Sequence, residues 1–151
     1  MKKHLLIVLL SIFVFSCSSD DDNSNSRVIE STLIAKDNLY GAGDEGITEQ
    51  NLIISNQTTW NNLITQLNSV NNVSDNFTET DINFSEYTII AVFDEIKANG
   101  GYSLELNITS NSENIIVNIN EIVPEGNVTT VITQPFNITK IQNSALPIIF
   151  E

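Results

Sequence analysis

The hydrophobic and polar positions in the middle of the chain predict two consecutive β-strands. Tyr87 to Phe93 is an unbroken apolar run rich in β-branched and aromatic residues, which indicates a strand covered on both faces and therefore in the middle of a sheet. From Tyr102 to Thr109 apolar and polar residues alternate strictly, which predicts a strand with one buried and one exposed face. Asn99-Gly100-Gly101 lies between them and supplies residues that tolerate positive φ, so we expect the two strands to pair as a hairpin.

The same patterns predict further strands on both sides of this pair. Before it, strands are predicted over Val28–Tyr40 and Ile47–Ser55, with the glycine-rich segment 41–46 as a hairpin tip. After it, strands are predicted over these ranges: Asn114–Val123, Val128–Ile132, Pro135–Ile141 and Leu146–Phe150. Because proline has no backbone donor, an edge position or a bulge is expected at Pro135.

One helix is predicted, because apolar residues recur at helical spacing from Trp60 to Val70. Thr58 and Thr59 precede this stripe and are the expected N-cap residues. Trp60 is expected in the core, where aromatic burial contributes most. The fold class that follows is mainly β (α+β). It is an antiparallel β-sandwich-like domain of about seven or eight strands, with one amphipathic helix packed on a sheet.

The N-terminus has the layout of an export signal. Lys2 and Lys3 precede an apolar run, Leu5–Phe15, whose 11 residues are too few to span a bilayer as a helix. Ser16-Cys17 then resembles a bacterial lipobox, in which the cysteine becomes the acylated first residue. We expect residues 1–16 to be a lipoprotein signal peptide and Cys17 to be the lipidation site. The alternative is a plain signal peptide followed by a stray cysteine.

The residues after Cys17 are polar and acidic, so 17–26 is expected to be a disordered tether and 27–151 a single β-rich domain. The acidic cluster Asp20–Asp22 resembles the surface-export signal of some bacterial lipoproteins. The expected location is therefore the outer membrane, lipid-anchored and facing the exterior. With 6 basic and 19 acidic residues the net charge is −13. A nucleic-acid partner is not expected, because phosphate binding needs a basic face.

The chain offers few residues for catalysis. Its one His and one Cys, His4 and Cys17, lie in the export signal, so no metal site or cofactor is expected. A serine nucleophile could use only a lysine base, namely Lys36, Lys97 or Lys140. A carboxylate-based hydrolase would need two facing acids, and the candidates near predicted strands are Asp94, Glu95, Glu105 and Glu121. Solvated surface acids are the simpler interpretation, and we do not expect an enzyme.

Several short motifs between residues 84 and 141 resemble the PrcB C-terminal domain family. They are Phe84-Ser85, Val92-Phe93, Gly100-Gly101-Tyr102-Ser103, Pro124 and Thr133-Gln134-Pro135-Phe136-Asn137-Ile138. Asn99 and Asp94 stand where the family pattern usually has Thr and Gly. The resemblance implies a non-catalytic, protein-binding lipoprotein that serves as an accessory module of a protease or another surface complex.

The hairpin turn is the expected contact with that protein partner, through Asn99, Gly100, Gly101 and Tyr102. Two alternatives stay open for the function of the chain. Gly-Tyr turns on β-sandwich scaffolds also occur in chagasin-like inhibitors of cysteine proteases, and a carboxylate-based hydrolase is the second alternative. The turn could also do no more than connect two strands, because a hairpin needs such glycines in any case.

Overall fold

The computed structural model describes residues 26–151, and every structural statement below refers to them. Within this part of the chain there are eight strands, one α-helix and one 3-10 helix. The elements run in the order β1 (Arg27–Val28), β2 (Ser31–Leu39), β3 (Gln50–Ile54), α1 (Gln57–Leu67), the 3-10 helix (Val73–Asn76), β4 (Tyr87–Phe93), β5 (Ser103–Ser110), β6 (Ile115–Ile122), β7 (Gln134–Gln142) and β8 (Ile148–Phe150). The predicted signal peptide and the lipidation site Cys17 lie outside the described residues.

The strands form two four-stranded sheets. The central sheet has the order β2-β7-β4-β3 and the outer sheet the order β1-β5-β6-β8. Neighbouring strands are antiparallel, except that β8 runs parallel to β6. The predicted fold class is confirmed, because the chain is mostly β, with two antiparallel-rich sheets and one helix in a sandwich-like arrangement.

The central sheet is buried on both faces, which makes the domain three layers deep. In β4, the side chains of Ile89, Ala91 and Phe93 pack with α1, whereas those of Ile90 and Val92 pack with the outer sheet. This confirms the prediction from the unbroken apolar run that β4 lies in the interior of a sheet with both faces covered. By contrast, Leu104 and Ile108 of β5 are buried while Glu105 and Asn107 are exposed, as strict alternation predicted.

A buried amide joins the two sheets. The side chain of Asn137 on β7 donates through Nδ2 to the backbone oxygen of Leu104 on β5, at 3.0 Å. Its Oδ1 accepts from the hydroxyl of Thr139 at 2.9 Å. Both polar atoms of the Asn137 amide therefore have a hydrogen-bond partner, and the bond to Leu104 fixes the position of β7 relative to β5.

Helix α1 begins two or three residues earlier than the threonines suggested. Asn56 is the N-cap, and its Oδ1 accepts from the amide of Thr59 at 2.9 Å, so the prediction of an N-cap at Thr58 or Thr59 is wrong. Asparagine is a strong cap because its short side chain reaches the free amides of the first turn. The helix ends at Leu67, and Val70 lies beyond it and is exposed.

Trp60 is fully buried between α1 and the central sheet, as predicted. Its indole nitrogen donates to the backbone oxygen of Thr80 at 2.8 Å. Its ring stacks on Phe77 with a centroid separation of 6.2 Å. The indole therefore buries its large apolar surface while its one donor is satisfied.

The two hairpins predicted from sequence are wrong. β4 pairs with β3 and β7, whereas β5 pairs with β1 and β6, so the chain crosses from the central to the outer sheet between them. Likewise β2 and β3 do not pair, because β7 and β4 lie between them. A strand that is buried on both faces, such as β4, belongs in the middle layer, whereas a strand that is buried on one face, such as β5, belongs in an outer layer. Strands that are consecutive in the sequence therefore need not pair with each other.

Two predictions near β7 are also wrong. Val128–Ile132 forms no strand; its Thr129 oxygen accepts one hydrogen bond from the Gly100 amide, and an isolated bridge between Lys97 and Thr133 follows it. Pro135 lies in an interior strand rather than at an edge or a bulge, since β7 has β2 and β4 on its two sides. Pro135 is the second residue of β7, and a missing donor near the start of a strand interrupts the ladder little.

Candidate functional site

Three long connections meet at one end of the sandwich, which we call the loop end. They are residues 40–49 between β2 and β3, 94–102 between β4 and β5, and 123–133 between β6 and β7. They meet because β2, β4 and β6 finish at this end while β3, β5 and β7 begin there. Arg27, where β1 begins, pairs with Ser110 at the last residue of β5. The chain therefore enters the domain at the opposite end.

The predicted contact turn, Asn99 to Tyr102, lies in the loop end and packs against the third connection. The amide of Gly100 donates to the oxygen of Thr129 at 3.0 Å, and the hydroxyl of Thr133 donates to the oxygen of Asn99 at 3.0 Å. Gly100 is buried, Asn99 and Tyr102 are half-buried, and Gly101 is exposed. The turn is thus less exposed than the sequence predicted, because residues 124–133 cover it.

Gly101 is the residue in this turn that requires glycine for its backbone conformation. Its φ is +94°, and a Cβ there would lie 2.8 Å from Cβ of Pro124. Asn99 and Gly100 do not have positive φ, so the prediction that all three residues supply such positions is wrong. A Cβ on Gly100 would instead lie 2.7 Å from the hydroxyl oxygen of Thr129. Gly100 is needed for close packing and Gly101 for the turn.

Lys97 binds three carboxylates beside this turn. The distances from its ammonium nitrogen are 3.1 Å to Asp94 Oδ2, 3.1 Å to Glu95 Oε1 and 2.6 Å to Glu121 Oε1. The same ammonium lies 5.2 Å from the centroid of the Tyr102 ring. The Lys97 side chain is 11% exposed. Lys97 therefore links residues 94–102 to Glu121 at the end of β6, and it also contacts Tyr102 of the predicted turn.

The protonation state of Lys97 follows from these contacts. Burial disfavours the charged ammonium, but its hydrogen bonds to Glu121, Asp94 and Glu95 outweigh this effect and raise the pKa of Lys97 well above its ordinary value. The amine is therefore protonated throughout the physiological range. A protonated amine cannot accept the proton of a serine nucleophile.

The candidate acids are only partly brought together. Asp94, Glu95 and Glu121 converge on Lys97, whereas Glu105 lies elsewhere and pairs with Lys36 at 3.6 Å. The third lysine of the described residues, Lys140, pairs with Glu79 and lies over the ring of Tyr87. Each lysine thus holds at least one carboxylate. Carboxylates that share one ammonium are typical of an ion-pair network.

The loop end also exposes large apolar side chains, a feature that sequence reasoning missed. Six of the eleven exposed large hydrophobic residues among the described residues lie there, each between 37% and 57% exposed. They are Tyr40, Ile96, Ile122, Val123, Val131 and Ile132. The available signal is that five of the six lie in the last two residues of a predicted strand and Ile96 lies three residues after one, but only the topology brings the three connections together.

Negative charge surrounds these apolar side chains. The three connections and the end of β6 carry one basic residue, Lys97, and the following acids: Asp44, Glu45, Glu49, Asp94, Glu95, Glu121 and Glu125. Among the described residues, three buried side-chain oxygens without a hydrogen-bond donor also lie at this end, on Asn38, Glu45 and Gln134, and Asp94 Oδ2 has only the ammonium of Lys97. Glu45 is 3% exposed and accepts from the Gly41 amide through its other oxygen. The loop end is therefore apolar and acidic.

Two cavities border the loop end. One, of about 410 Å³, lies under the first connection and includes Ile47, Ile96 and Gln134 in its lining. The other, of about 260 Å³, lies where β3 begins, next to Asp94 and Leu104.

Within residues 26–151 no group of three or more His, Cys, Asp or Glu side chains is placed to hold a metal ion. No helix in that range is long and apolar enough to cross a membrane.

Comparisons with known proteins add no relative to this description. No family model, no curated protein and no solved structure matches the chain.

Proposed function

We propose that the chain is a non-catalytic surface lipoprotein that binds another protein through its loop end. In this proposal it is an accessory module of a protease or another surface complex, as the resemblance of residues 84–141 to the PrcB C-terminal domain implies. The contact includes the predicted turn, Asn99 to Tyr102, and extends to the apolar side chains of the neighbouring connections. Cys17 carries the lipid anchor.

The observation that carries the proposal is the concentration of exposed apolar side chains on one end of the domain. Single exposed hydrophobic residues are ordinary on a soluble protein, whereas several of them on adjacent loops mark interaction sites. Tyr40, Ile96 and Ile132 belong to three different connections. Their exposure therefore cannot be ascribed to a single unpacked loop.

The direction of the chain supports a contact at this end. Because β1 begins at the end opposite the loop end, a tether attached there leaves the loop end as the side of the domain away from the anchor. Residues 17–26 span at most about 35 Å when extended. The anchored domain would thus present its apolar and acidic loops outward, towards a partner on the same surface.

The state of the ionisable groups favours binding over catalysis. Lys97 is protonated and its ammonium is shared among Asp94, Glu95 and Glu121. An acid–base mechanism needs a group that can take up or release a proton near neutral pH. An ammonium held in a charge network serves instead to fix the shape of the loops.

Affinity capture from the native cell surface tests the proposal with a matched pair of double variants. Val123→Ser/Ile132→Ser removes apolar surface from the loop end, and Val28→Ser/Val70→Ser removes comparable surface from elsewhere on the domain. Wild type and the second variant should recover the same partner, and the first variant should lose it. Thermal unfolding of all three proteins shows whether they are equally folded.

Equal recovery by the loop-end variant would contradict the proposal. A further variant, Tyr102→Ala, separates the predicted turn from the apolar residues around it. If Tyr102→Ala recovers the partner as wild type does while Val123→Ser/Ile132→Ser does not, the turn connects strands and the contact lies on the neighbouring loops. Titration of the soluble domain against a papain-type protease separates an accessory module from a protease inhibitor.

A further inference from the structure

The outer edge of β3 is an open β-sheet edge. β3 pairs with β4 on one side over five consecutive residues, Gln50 to Ile54, in an uninterrupted register. On the other side its backbone makes no hydrogen bond to any residue in the described part of the chain. The strand contains no proline and no charged residue. A regular edge of this kind offers a row of free donors and acceptors to another strand.

The other three sheet edges have features that discourage strand addition. β1 and β8 are two and three residues long. β2 has an irregularity between Leu33 and Ala35 and carries Lys36. Thr78 also covers β2, because its amide donates to the oxygen of Ile34 at 3.0 Å. Short strands, bulges, lysines and covering segments are the usual protections of an edge, and β3 has none of them.

A cavity lies beside this edge on the face opposite α1, and we call it the β3 cavity. It has a volume of about 260 Å³. Its apolar lining includes Val92, Leu104 and Ile119, and its acidic lining includes Glu49 and Asp94. Along β3, Leu52 and Ile54 pack towards the helix, so Asn51 and Ile53 face the side of the cavity. A side chain from an added strand would reach the same side.

We infer that the β3 edge accepts an extended segment of a protein partner as a fifth strand of the central sheet, and that this segment alternates basic residues on the side of the β3 cavity with apolar residues on the side of α1, where Leu52 and Ile54 lie. Main-chain hydrogen bonds would supply affinity, and the β3 cavity would supply selectivity for side chains. The carboxylate of Glu49 favours basic residues in the segment, whereas Asp94 in the same lining is already paired with Lys97. The inference rests on the proposed function in that the occupant is another protein, and it names where and how that protein binds.

A second copy of the chain is the less suitable occupant. The chain carries a net charge of −13, and pairing two such domains along their edges brings like charges together. A basic segment instead reduces the charge of the acidic loop end, which adjoins the first residue of β3. Charge complementarity therefore selects a partner of opposite sign.

Amide hydrogen exchange tests strand addition with synthetic probes of ten residues. The first peptide alternates valine and lysine, and the control peptide alternates valine and glutamate. In the free domain, alternate amides of β3 should exchange fast, because in an edge strand every second amide points away from β4. The valine–lysine peptide should slow the fast amides by at least about ten-fold, whereas the valine–glutamate peptide should leave them unchanged.

Two variants locate the effect. Ile53→Lys adds a charge to an exposed position of the edge and should abolish the protection, and Val28→Lys, at the opposite end, should retain it. The inference is overturned if no β3 amide is slowed by millimolar valine–lysine peptide, or if Ile53→Lys is protected as well as wild type. It is also overturned if the β3 amides of the free domain become protected as protein concentration rises, because a second copy would then occupy the edge.

The outcome is separable from that of the proposed function. Unprotected β3 amides together with capture that depends on Val123 and Ile132 would reject strand addition and keep the loop-end contact. If the valine–lysine peptide protects the β3 amides and partner capture is unchanged by the loop-end substitutions, strand addition is kept and the loop-end contact is rejected.

Discussion

Replacement of Lys97 by methionine should destabilise the domain by about 3 kcal/mol. Asp94 dominates this estimate, because its side chain is 15% exposed and its Oδ2 has no hydrogen-bond donor among the described residues other than the ammonium of Lys97. Removing one partner of a buried ion pair costs roughly 3 to 5 kcal/mol, since the other charge is left unpaired. Glu95 and Glu121 are 66% and 38% exposed, and pairs at such exposed groups contribute only about 0 to 1 kcal/mol.

A double variant distinguishes the loss of a charge pair from the loss of packing. Lys97→Met/Asp94→Asn removes both buried charges, and eliminating a pair together is nearly neutral. We expect the double variant to recover most of the loss, ending within about 1 kcal/mol of wild type. Urea unfolding measures all three proteins, with the fluorescence of Trp60 as the probe, because it is the one tryptophan in the chain.

The alkaline pH dependence gives a second readout of the same group. The folded-state pKa of Lys97 is raised above its ordinary value of 10.5. Its contribution to stability is therefore fully present below the unfolded-state value and is lost as the pH rises through the folded-state pKa. The stability difference between wild type and Lys97→Met should be constant from about pH 7 to 9 and should shrink above about pH 10.5. A single variant within about 1 kcal/mol of wild type, or a double variant no more stable than the single one, would refute the role assigned to Lys97.

Three further predictions concern the anchor, the core and the turn. Cys17→Ala should release the protein from the membrane in a detergent-partition assay, because acyl chains contribute about 0.8 kcal/mol per buried CH₂; unchanged partition would reject lipidation at Cys17. Trp60→Ala should cost roughly 3 to 5 kcal/mol of unfolding free energy, and red-shifted tryptophan fluorescence in native wild type would contradict the burial of Trp60. Gly101→Ala should destabilise more than Gly126→Ala, since both have positive φ but a Cβ at Gly126 has no atom within 4 Å, whereas one at Gly101 meets Pro124. Equal unfolding free energies for these two variants would exclude that steric contact.

The sequence predicted the elements better than their arrangement. Hydrophobic periodicity located β4, β5, β6 and α1, because the number of buried faces of an element determines how its apolar and polar residues are spaced. The error was to pair β4 with β5 on the strength of the turn between them. A turn sequence reports local backbone geometry, whereas the choice of sheet depends on how many faces of each strand are covered. Strand β4 needs cover on both faces and β5 on one, and this difference assigns them to different layers.

The candidate site was less predictable because its parts are far apart in the sequence. The sequence identifies residues 99–102 as a turn, but the cover provided by residues 124–133 cannot be foreseen, because the alternation of residues 128–132 predicts a strand and does not show that these residues fold over the turn. The sequence offers Asp94, Glu95 and Glu121 as separate acids, and nothing in their spacing shows that Lys97 binds all three. An open sheet edge is also invisible in a sequence, since it depends on which strands end up beside it.

The position of β7 between β2 and β4 determines when the domain can fold. Ser31 on β2 pairs with Ile141, and Tyr87 on β4 pairs with Gln142, so both of these earlier strands need a partner from the much later residues 134–142. Until β7 has been synthesised, the central sheet can form only the β3–β4 pair, and β4, which is apolar from Ile89 to Phe93, has no partner on its second edge. Folding that waits for such distant pairing is slow and leaves apolar strands exposed to aggregation. The pairing of β2, and of the second edge of β4, can therefore be completed only after residue 142 has been synthesised.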